Sequence, residues 1–167
     1  MPGRSELYVG RAGQLAVMAE FLLRGYNVAI PEVDVGDDVF VVKDSDGDLS
    51  RIQVKTARKL ERLKKGFAVR FTVREEQLLA IRLPRLHFVI AIREQDRWTR
   101  FVVIPQGILS DEYQLHQIGT RNAKSGTVTF RLSFHGDSGL CCGKRDFSSY
   151  LANWSYWPQI EHAPRPR

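Results

Sequence analysis

Hydrophobic and polar positions follow helical and strand periods in turn along the first part of this chain. Apolar side chains recur every three or four positions over residues 11–24, which predicts a helix that Gly25 can end. Three β-branched segments with two-residue alternation then predict strands at residues 26–30, 38–43 and 49–56. The last two strands should pair as a hairpin.

The middle of the chain continues with a strand, a short helix and two further strands, at residues 67–73, 75–82, 86–92 and 98–104. Thr72 and Glu75 have the spacing of a capping box, which favours a helix start between them. Residues 86–92 are almost continuously apolar, which is typical of a strand buried on both faces.

The pattern is weaker further on, and it predicts a helix, a strand and a second helix at residues 107–115, 127–134 and 147–157. His87 lies within an apolar run and is expected to be a hydrogen-bonded core histidine. The aromatic residues that close the last helix are expected to serve packing: Trp154, Tyr156 and Trp157.

The order of elements predicts an α/β fold with a mixed sheet flanked by helices on both faces. We expect one domain over residues 1–167, because its length of 167 residues, 43% hydrophobic and 26% charged, suits one compact core. The core should span about residues 8–105. Residues 106–160 should form C-terminal additions, and residues 161–167 should form a mobile tail.

Several classes of protein are disfavoured by composition. The longest apolar runs have five residues, far fewer than the roughly 20 that span a bilayer. The N-terminus lacks the apolar centre of a secretory signal, so a cytoplasmic location is expected. Cys141 and Cys142 are adjacent, a spacing that favours two reduced thiols over a disulfide or a metal site.

Charge is distributed unevenly along the chain. The net charge is +6, yet residues 51–74 hold nine basic residues and one acidic residue, a local charge of +8. Residues 32–48 hold seven acidic residues and one basic residue, a local charge of −6. These segments are either a cation-binding patch beside a polyanion-binding patch or two solvated turns of opposite sign.

The turn of the predicted hairpin determines which side chains share a face. A two-residue turn at Asp46-Gly47 would place Asp38 opposite Lys55, and Gln53 would point to the same side. A carboxylate, an amide oxygen and an ammonium group would then converge in a possible metal site. The other face would be apolar, with Val39, Val41, Ile52 and Val54.

Over about residues 8–105 the chain resembles the PD-(D/E)XK nuclease superfamily, especially its resolvase-like and restriction-endonuclease-like branches. The resemblance rests on four segments: GRAGQLAV (10–17), RGYNV (24–28), DVGDD (34–38) and RIQVKT (51–56).

The resemblance implies a restriction-endonuclease-like αβββαβ core and metal-dependent cleavage of DNA. Asp38 matches the first acid of the family pattern, Gln53 the variable second position and Lys55 the lysine. Asp38 and Gln53 would hold Mg²⁺ or Mn²⁺, hard ions that prefer oxygen ligands, and Lys55 would act on the attacking water. We expect a homodimer.

One position departs from the family pattern. A glutamate on the first helix often assists the metal, and Gln14 stands in its place, on the side that should face the sheet. Glu20 lies nearly opposite that side, so it is a poor substitute. Asp38 would then be the main carboxylate, and weak metal binding is expected. Asp34 and Asp37 could supply negative charge near the metal without binding it directly, but the role favoured for both is that of solvated loop residues.

The basic segment after Lys55 should lie beside the cleavage site and contact DNA phosphates, through Arg58, Lys59, Arg62, Lys64 and Lys65. Two alternatives stay open: a DNA-binding module on the same fold that has lost cleavage through Gln14, and a protein-interaction domain whose basic segment is only solvated.

Overall fold

The computed structural model describes residues 4–33, 36–57, 59–81 and 83–160. The helices are α1 (Arg4–Leu23), α2 (Glu75–Leu79) and α3 (Gln106–His116). The first seven strands are β1 (Asn27–Ala29), β2 (Val39–Lys43), β3 (Asp48–Ala57), β4 (Glu61–Leu63), β5 (Gly66–Arg74), β6 (Leu86–Glu94) and β7 (Arg97–Pro105). The last four are β8 (Thr120–Asn122), β9 (Thr127–His135), β10 (Gly139–Cys142) and β11 (Arg145–Asp146).

The first sheet has five strands in the order β1-β2-β3-β6-β7. Strand β3 runs parallel to β6, while the other neighbours in this sheet are antiparallel. The predicted α/β fold with a mixed sheet is therefore confirmed. The parallel pair needs a long crossover, and β4, β5 and α2 lie within it.

Helix α1 covers one face of the first sheet. Val17 and Phe21 of α1 are fully buried against a layer that includes Ile52 and Val89. Gly13 permits this close approach, because a Cβ atom there would collide with the side chain of Thr56 on β3. The predicted helix is confirmed, although it begins earlier than its apolar pattern indicated. Its buried positions are Gly13, Val17 and Phe21, whereas Leu15 and Leu22 of the predicted apolar face are exposed.

The second sheet covers the opposite face of the first, where the sequence predicted helices. Its strand order is β11-β10-β9-β5-β4, and β8 pairs with β9. The inner side chains of this sheet, such as Phe71 and Phe130, form one core with Ile90 and Ile104 of the first sheet. Short helices α2 and α3 lie at the margin of this core, to which they contribute Leu78 and Leu109.

Strand β5 belongs to the second sheet and not to the mixed core in which the sequence placed it. Its buried positions Val69, Phe71 and Val73 alternate with exposed polar ones, a pattern suited to a sheet with one open face. Strand β6 is buried from Leu86 to Ile92, so it suits the doubly covered position beside β3.

The hairpin of β2 and β3 forms as predicted, but its register differs. A two-residue turn would pair Val39 with Val54, whereas Val39 lies opposite Ile52 and residues 44–47 form a longer turn. Because side chains repeat every two residues along a strand, this shift of two leaves each side chain on its predicted face.

The predicted capping box of α2 is wrong. Thr72 still belongs to β5, where its Oγ1 lies 2.9 Å from the Oγ1 of Thr129. Arg74 precedes the helix without a side-chain cap hydrogen bond. The helix ends at Leu79 rather than at residue 82, because the backbone of Ala80 is already extended.

The helix predicted over residues 147–157 is also wrong, and only a 3-10 turn forms at Ser148–Tyr150. Trp154 and Trp157 are buried edge-on against Phe21, with ring centroids 5.3 and 4.9 Å from it. Their predicted packing role is confirmed, and an irregular segment positions both rings. Strands β4, β8, β10 and β11 are too short to give a pattern in the sequence.

The tail over residues 161–167 lies outside the described residues. Among the helices that the structure describes, none has the length and apolarity needed to cross a membrane.

Candidate active site

Asp38, Gln53 and Lys55 line one cavity of about 220 Å³, as the hairpin pattern predicted. The cavity lies on the face of the first sheet that the second sheet covers, where β3 passes β5. The predicted set is therefore brought together, with Asp38 and Lys55 half-buried.

Gln53 is the unusual member of this set. Its side chain is buried, with 7% of the residue exposed. Among the residues that the structure describes, none donates a hydrogen bond to its Oε1 atom. A buried amide oxygen without a partner costs about 1–3 kcal/mol, which a ligand at this position would offset.

The carboxylate of Asp38 is oriented by the neighbouring strand. Its Oδ2 atom accepts a hydrogen bond of 2.7 Å from the backbone N–H of Val54. The backbone N–H of Asp38 donates to the carbonyl of Ile52 at 2.9 Å. These two hydrogen bonds hold Asp38 against β3, next to Gln53 and Lys55, which line the same cavity.

Gln14 reaches the same loop from α1. Its Nε2 atom donates to the backbone carbonyl of Asp38, and its Oε1 atom accepts a 2.7 Å hydrogen bond from Arg11. The side chain thus faces the sheet as predicted. It contacts the backbone of Asp38, and it is not among the residues that line the cavity.

Two further contacts hold the loop that carries Asp38. Asp37 is buried in an ion pair with Arg51, whose Nε donates to its Oδ2 at 2.8 Å. This corrects the prediction that Asp37 is a solvated loop residue, whereas Asp34 lies outside the described residues. Gln77 of α2 donates from Nε2 to the carbonyl of Gly36.

Gly36 itself is required by this packing. Its φ of +95° lies in the left-handed region, and a Cβ atom would lie 2.6 Å from the amide nitrogen of Gln77. The loop over residues 36–38 is therefore anchored by α1, α2 and β3 together.

Sequence reasoning missed Arg74 and Gln77, which also line the cavity. Arg74 ends β5 on its exposed face, and Gln77 is buried. The local sequence pattern indicated only that Arg74 follows a predicted strand and that Gln77 lies in a helix. Only the packing of the second sheet on β3 brings both side chains to Asp38 and Lys55.

The basic residues predicted to contact DNA surround the short β4–β5 hairpin. Lys59, Arg62, Lys64 and Lys65 are all exposed, and Arg58 lies outside the described residues. Lys59 lines a second cleft of about 460 Å³, together with Thr56 of β3 and Arg70 of β5.

His87 is buried on the α1 side of the first sheet, away from the cavity. Its ring lies 4.8 Å from that of Trp157, and burial lowers its pKa to about 4. No donor or acceptor in the described part of the chain pairs with its Nδ1 atom. This corrects the prediction of a hydrogen-bonded core histidine.

The described residues contain no group of three or more histidine, cysteine, aspartate or glutamate side chains that could hold a metal ion. A metal site at this cavity would therefore use the Asp38 carboxylate with amide oxygen from Gln53.

Comparison with known proteins gives one informative likeness. No family model and no curated protein matches the chain. Among solved structures, it is similar to the bacterial homing endonuclease I-Ssp6803I, with 18% identity and a TM-score of 0.55. The match covers 92% of this chain and 93% of that one. The chain has a nuclease-like α/β fold.

Proposed function

We propose that this protein is a DNA endonuclease of the PD-(D/E)XK type that depends on Mg²⁺ or Mn²⁺. The proposal depends above all on the Oε1 atom of Gln53, which is buried without a hydrogen-bond partner among the described residues and shares a cavity with Asp38 and Lys55. The nuclease-like fold and the homing endonuclease among its structural neighbours support the same reaction class.

The donor set suits a hard divalent cation. Asp38 supplies carboxylate oxygen and Gln53 supplies amide oxygen, and ions such as Mg²⁺ prefer oxygen ligands. Asp38 and Gln53 would hold the ion. When bound, the ion would polarise a phosphate oxygen and lower the pKa of a coordinated water.

The remaining cavity residues suit a phosphodiester substrate. Lys55 and Arg74 line the cavity and carry positive charge, which attracts a phosphate and offsets the charge that develops on its oxygens. Lys55 follows Gln53 on the same face of β3, so its amine would orient the attacking water beside that phosphate.

The surroundings suit a duplex as the substrate. Lys59 lines the cleft beside the end of β3. We propose that it contacts the DNA backbone together with the other basic residues of this segment: Arg58, Arg62, Lys64 and Lys65. One chain supplies a single Asp38 and Lys55, and two such sites would allow both strands of a duplex to be cut within one complex. We therefore propose that a homodimer acts.

A second candidate is a DNA-binding module that has lost cleavage. The contacts of Gln14 favour it, because both ends of that amide are already occupied by Asp38 and Arg11. In this case Gln14 of α1 holds the loop in place through its hydrogen bond to Asp38, and α1 contributes no carboxylate to the lining of the cavity.

Nicking of supercoiled plasmid DNA in Mg²⁺ or Mn²⁺ separates the two candidates. We expect nicking by the full chain and none by Asp38→Asn, which should also lose Mn²⁺ binding in calorimetry because it removes the anionic ligand. The matched control is Asp46→Asn in the exposed turn of the hairpin. Binding of DNA without nicking in either metal would support the DNA-binding module that has lost cleavage. Unchanged Mn²⁺ affinity in Asp38→Asn would exclude the proposed metal site.

A further inference from the structure

The second sheet has one face on the core and one face open. Cross-strand pairs on the open face join polar residues of β5 and β9: Arg70 with Arg131, Thr72 with Thr129, and Arg74 with Thr127. These side chains are exposed or half-exposed. We call this surface, made of these six residues, the open β-face.

The charge of the open β-face is unfavourable for the isolated protein. Arg70 and Arg131 lie directly opposite each other, and like charges in that position destabilise a sheet. Glu61 contacts both, at 3.5 and 3.2 Å, so one carboxylate serves two guanidinium groups. Arg74 adds a further positive charge. The surface therefore carries an excess of positive charge suited to a polyanion.

The open β-face is continuous with the candidate active site. Arg74 lines the cavity of Asp38 and Lys55, and Arg70 lines the neighbouring cleft beside Lys59. Four residues along a strand cover about 13 Å, or about four base-pair steps of duplex DNA. A polyanion lying along β5 would thus reach the cavity at one end.

Between the arginines, the surface presents hydroxyl groups. Thr72 and Thr129 form a hydrogen-bonded pair at 2.9 Å in the middle of the ladder. Threonine and arginine side chains both bond base edges in the major groove of duplex DNA.

We propose that the open β-face binds duplex DNA at its major groove, with the inner strands β5 and β9 facing the groove. Arg70 and Arg131 would contact phosphates, and Thr72 and Thr129 would contact base edges. The proposal rests on the proposed function, because it assigns the surface that would carry the substrate to the cavity.

The first test compares two double variants of the full chain. Arg70→Gln with Arg131→Gln removes two charges from the open β-face. The control variant, Arg121→Gln with Arg145→Gln, removes two charges from the same sheet. These two arginines lie outside the open β-face and pair with Glu75 of α2 and Glu112 of α3. Affinity for a fluorescent random-sequence duplex is measured at several salt concentrations, and thermal melts check folding.

We expect the first double variant to flatten the dependence of log affinity on log salt by about two, and the control to leave it unchanged. Equal slopes in both variants would overturn the proposal while wild-type nicking preserved the proposed function. If the unmodified chain neither bound nor nicked DNA, both would fail. Tighter binding to duplex RNA than to duplex DNA would also overturn the assignment.

The second test concerns base contacts. Thr72→Val with Thr129→Val keeps the β-branched shape and removes both hydroxyls. In selection from a randomised duplex library, we expect the variant to lose base preference at one or more positions while its salt dependence stays unchanged. The same selected sequences for wild type and variant would remove the threonines from the interface.

Discussion

The two sheets of this protein differ in how many of their faces are covered. The first sheet is buried by α1 on one side and by the second sheet on the other, so β6 is buried on both faces from Leu86 to Ile92. The second sheet buries one face only, and β9 alternates regularly between buried and half-exposed residues. A polar side chain is therefore expected on the open face of the second sheet, whereas in the first sheet it is buried and needs an explanation.

On the open face of the second sheet, threonine and arginine are ordinary residues, and their arrangement rather than their presence is informative. On the covered face of the first sheet, a polar residue is costly unless it is paired. Gln53 is buried there with an unpaired oxygen among the described residues, which makes it the sharper indication of a ligand. We expect chemistry in the first sheet and substrate binding in the second.

Replacement of Lys55 should have the largest effect on activity. If the first sheet holds the chemistry, Lys55→Ala should lower nicking on the order of 10³-fold or more, because it would remove the amine that we propose orients the water. Arg131→Ala in the second sheet should weaken DNA affinity and leave turnover at saturating DNA nearly unchanged.

Plasmid nicking at saturating DNA measures this difference, and Lys43→Ala at the other end of the hairpin is the control. Normal turnover in a folded Lys55→Ala protein would exclude the active-site assignment. A fall in turnover for Arg131→Ala as large as that for Lys55→Ala would show that the two sheets do not divide these roles.

The pH dependence of stability should differ between a histidine of the first sheet, His87, and one of the second sheet, His135. The pKa of His87 is lowered from 6.5 to about 4 by burial, so between these values the unfolded chain binds a proton that the folded chain does not. Stability should therefore fall as the pH decreases from 6.5 to about 4, by about 3 kcal/mol at the acid end.

Urea unfolding at a series of pH values measures this loss. His87→Gln should remove most of it, whereas His135→Gln, at the exposed end of β9, should leave it in place. An identical pH dependence in wild type and His87→Gln would show that another group titrates.

Gln14→Glu should have a smaller effect, and it tests how α1 serves the cavity. A carboxylate cannot donate to the carbonyl of Asp38, so the variant should lose about 1 kcal/mol of stability without metal. The added negative charge should in turn strengthen Mn²⁺ binding and raise nicking.

Thermal melts with and without Mn²⁺ separate these two effects, with Gln14→Ala as the control that loses the donor without gaining charge. A larger rise in melting temperature with Mn²⁺ is expected for Gln14→Glu than for wild type or Gln14→Ala. The same rise in all three proteins would place α1 outside the metal environment.

The amino-acid sequence by itself determined the local periods, the hairpin and its two faces. Val39 and Ile52 point to α1 while Gln53 and Lys55 point to the cavity, and even the mistaken turn did not change this. The reason is that side-chain direction along a strand repeats every two residues, so faces survive a shift of two.

The tertiary structure alone decided which strand neighbours which and which side chains meet across elements. The alternation of β5 is the same whether it pairs with β3 or with β9, so its local pattern could not reveal its place in the second sheet. Arg74 and Gln77 reach the cavity only because that sheet packs on β3. Likewise, Trp154 and Trp157 meet Phe21 across the chain, and their burial there outweighs the weak helical pattern around them.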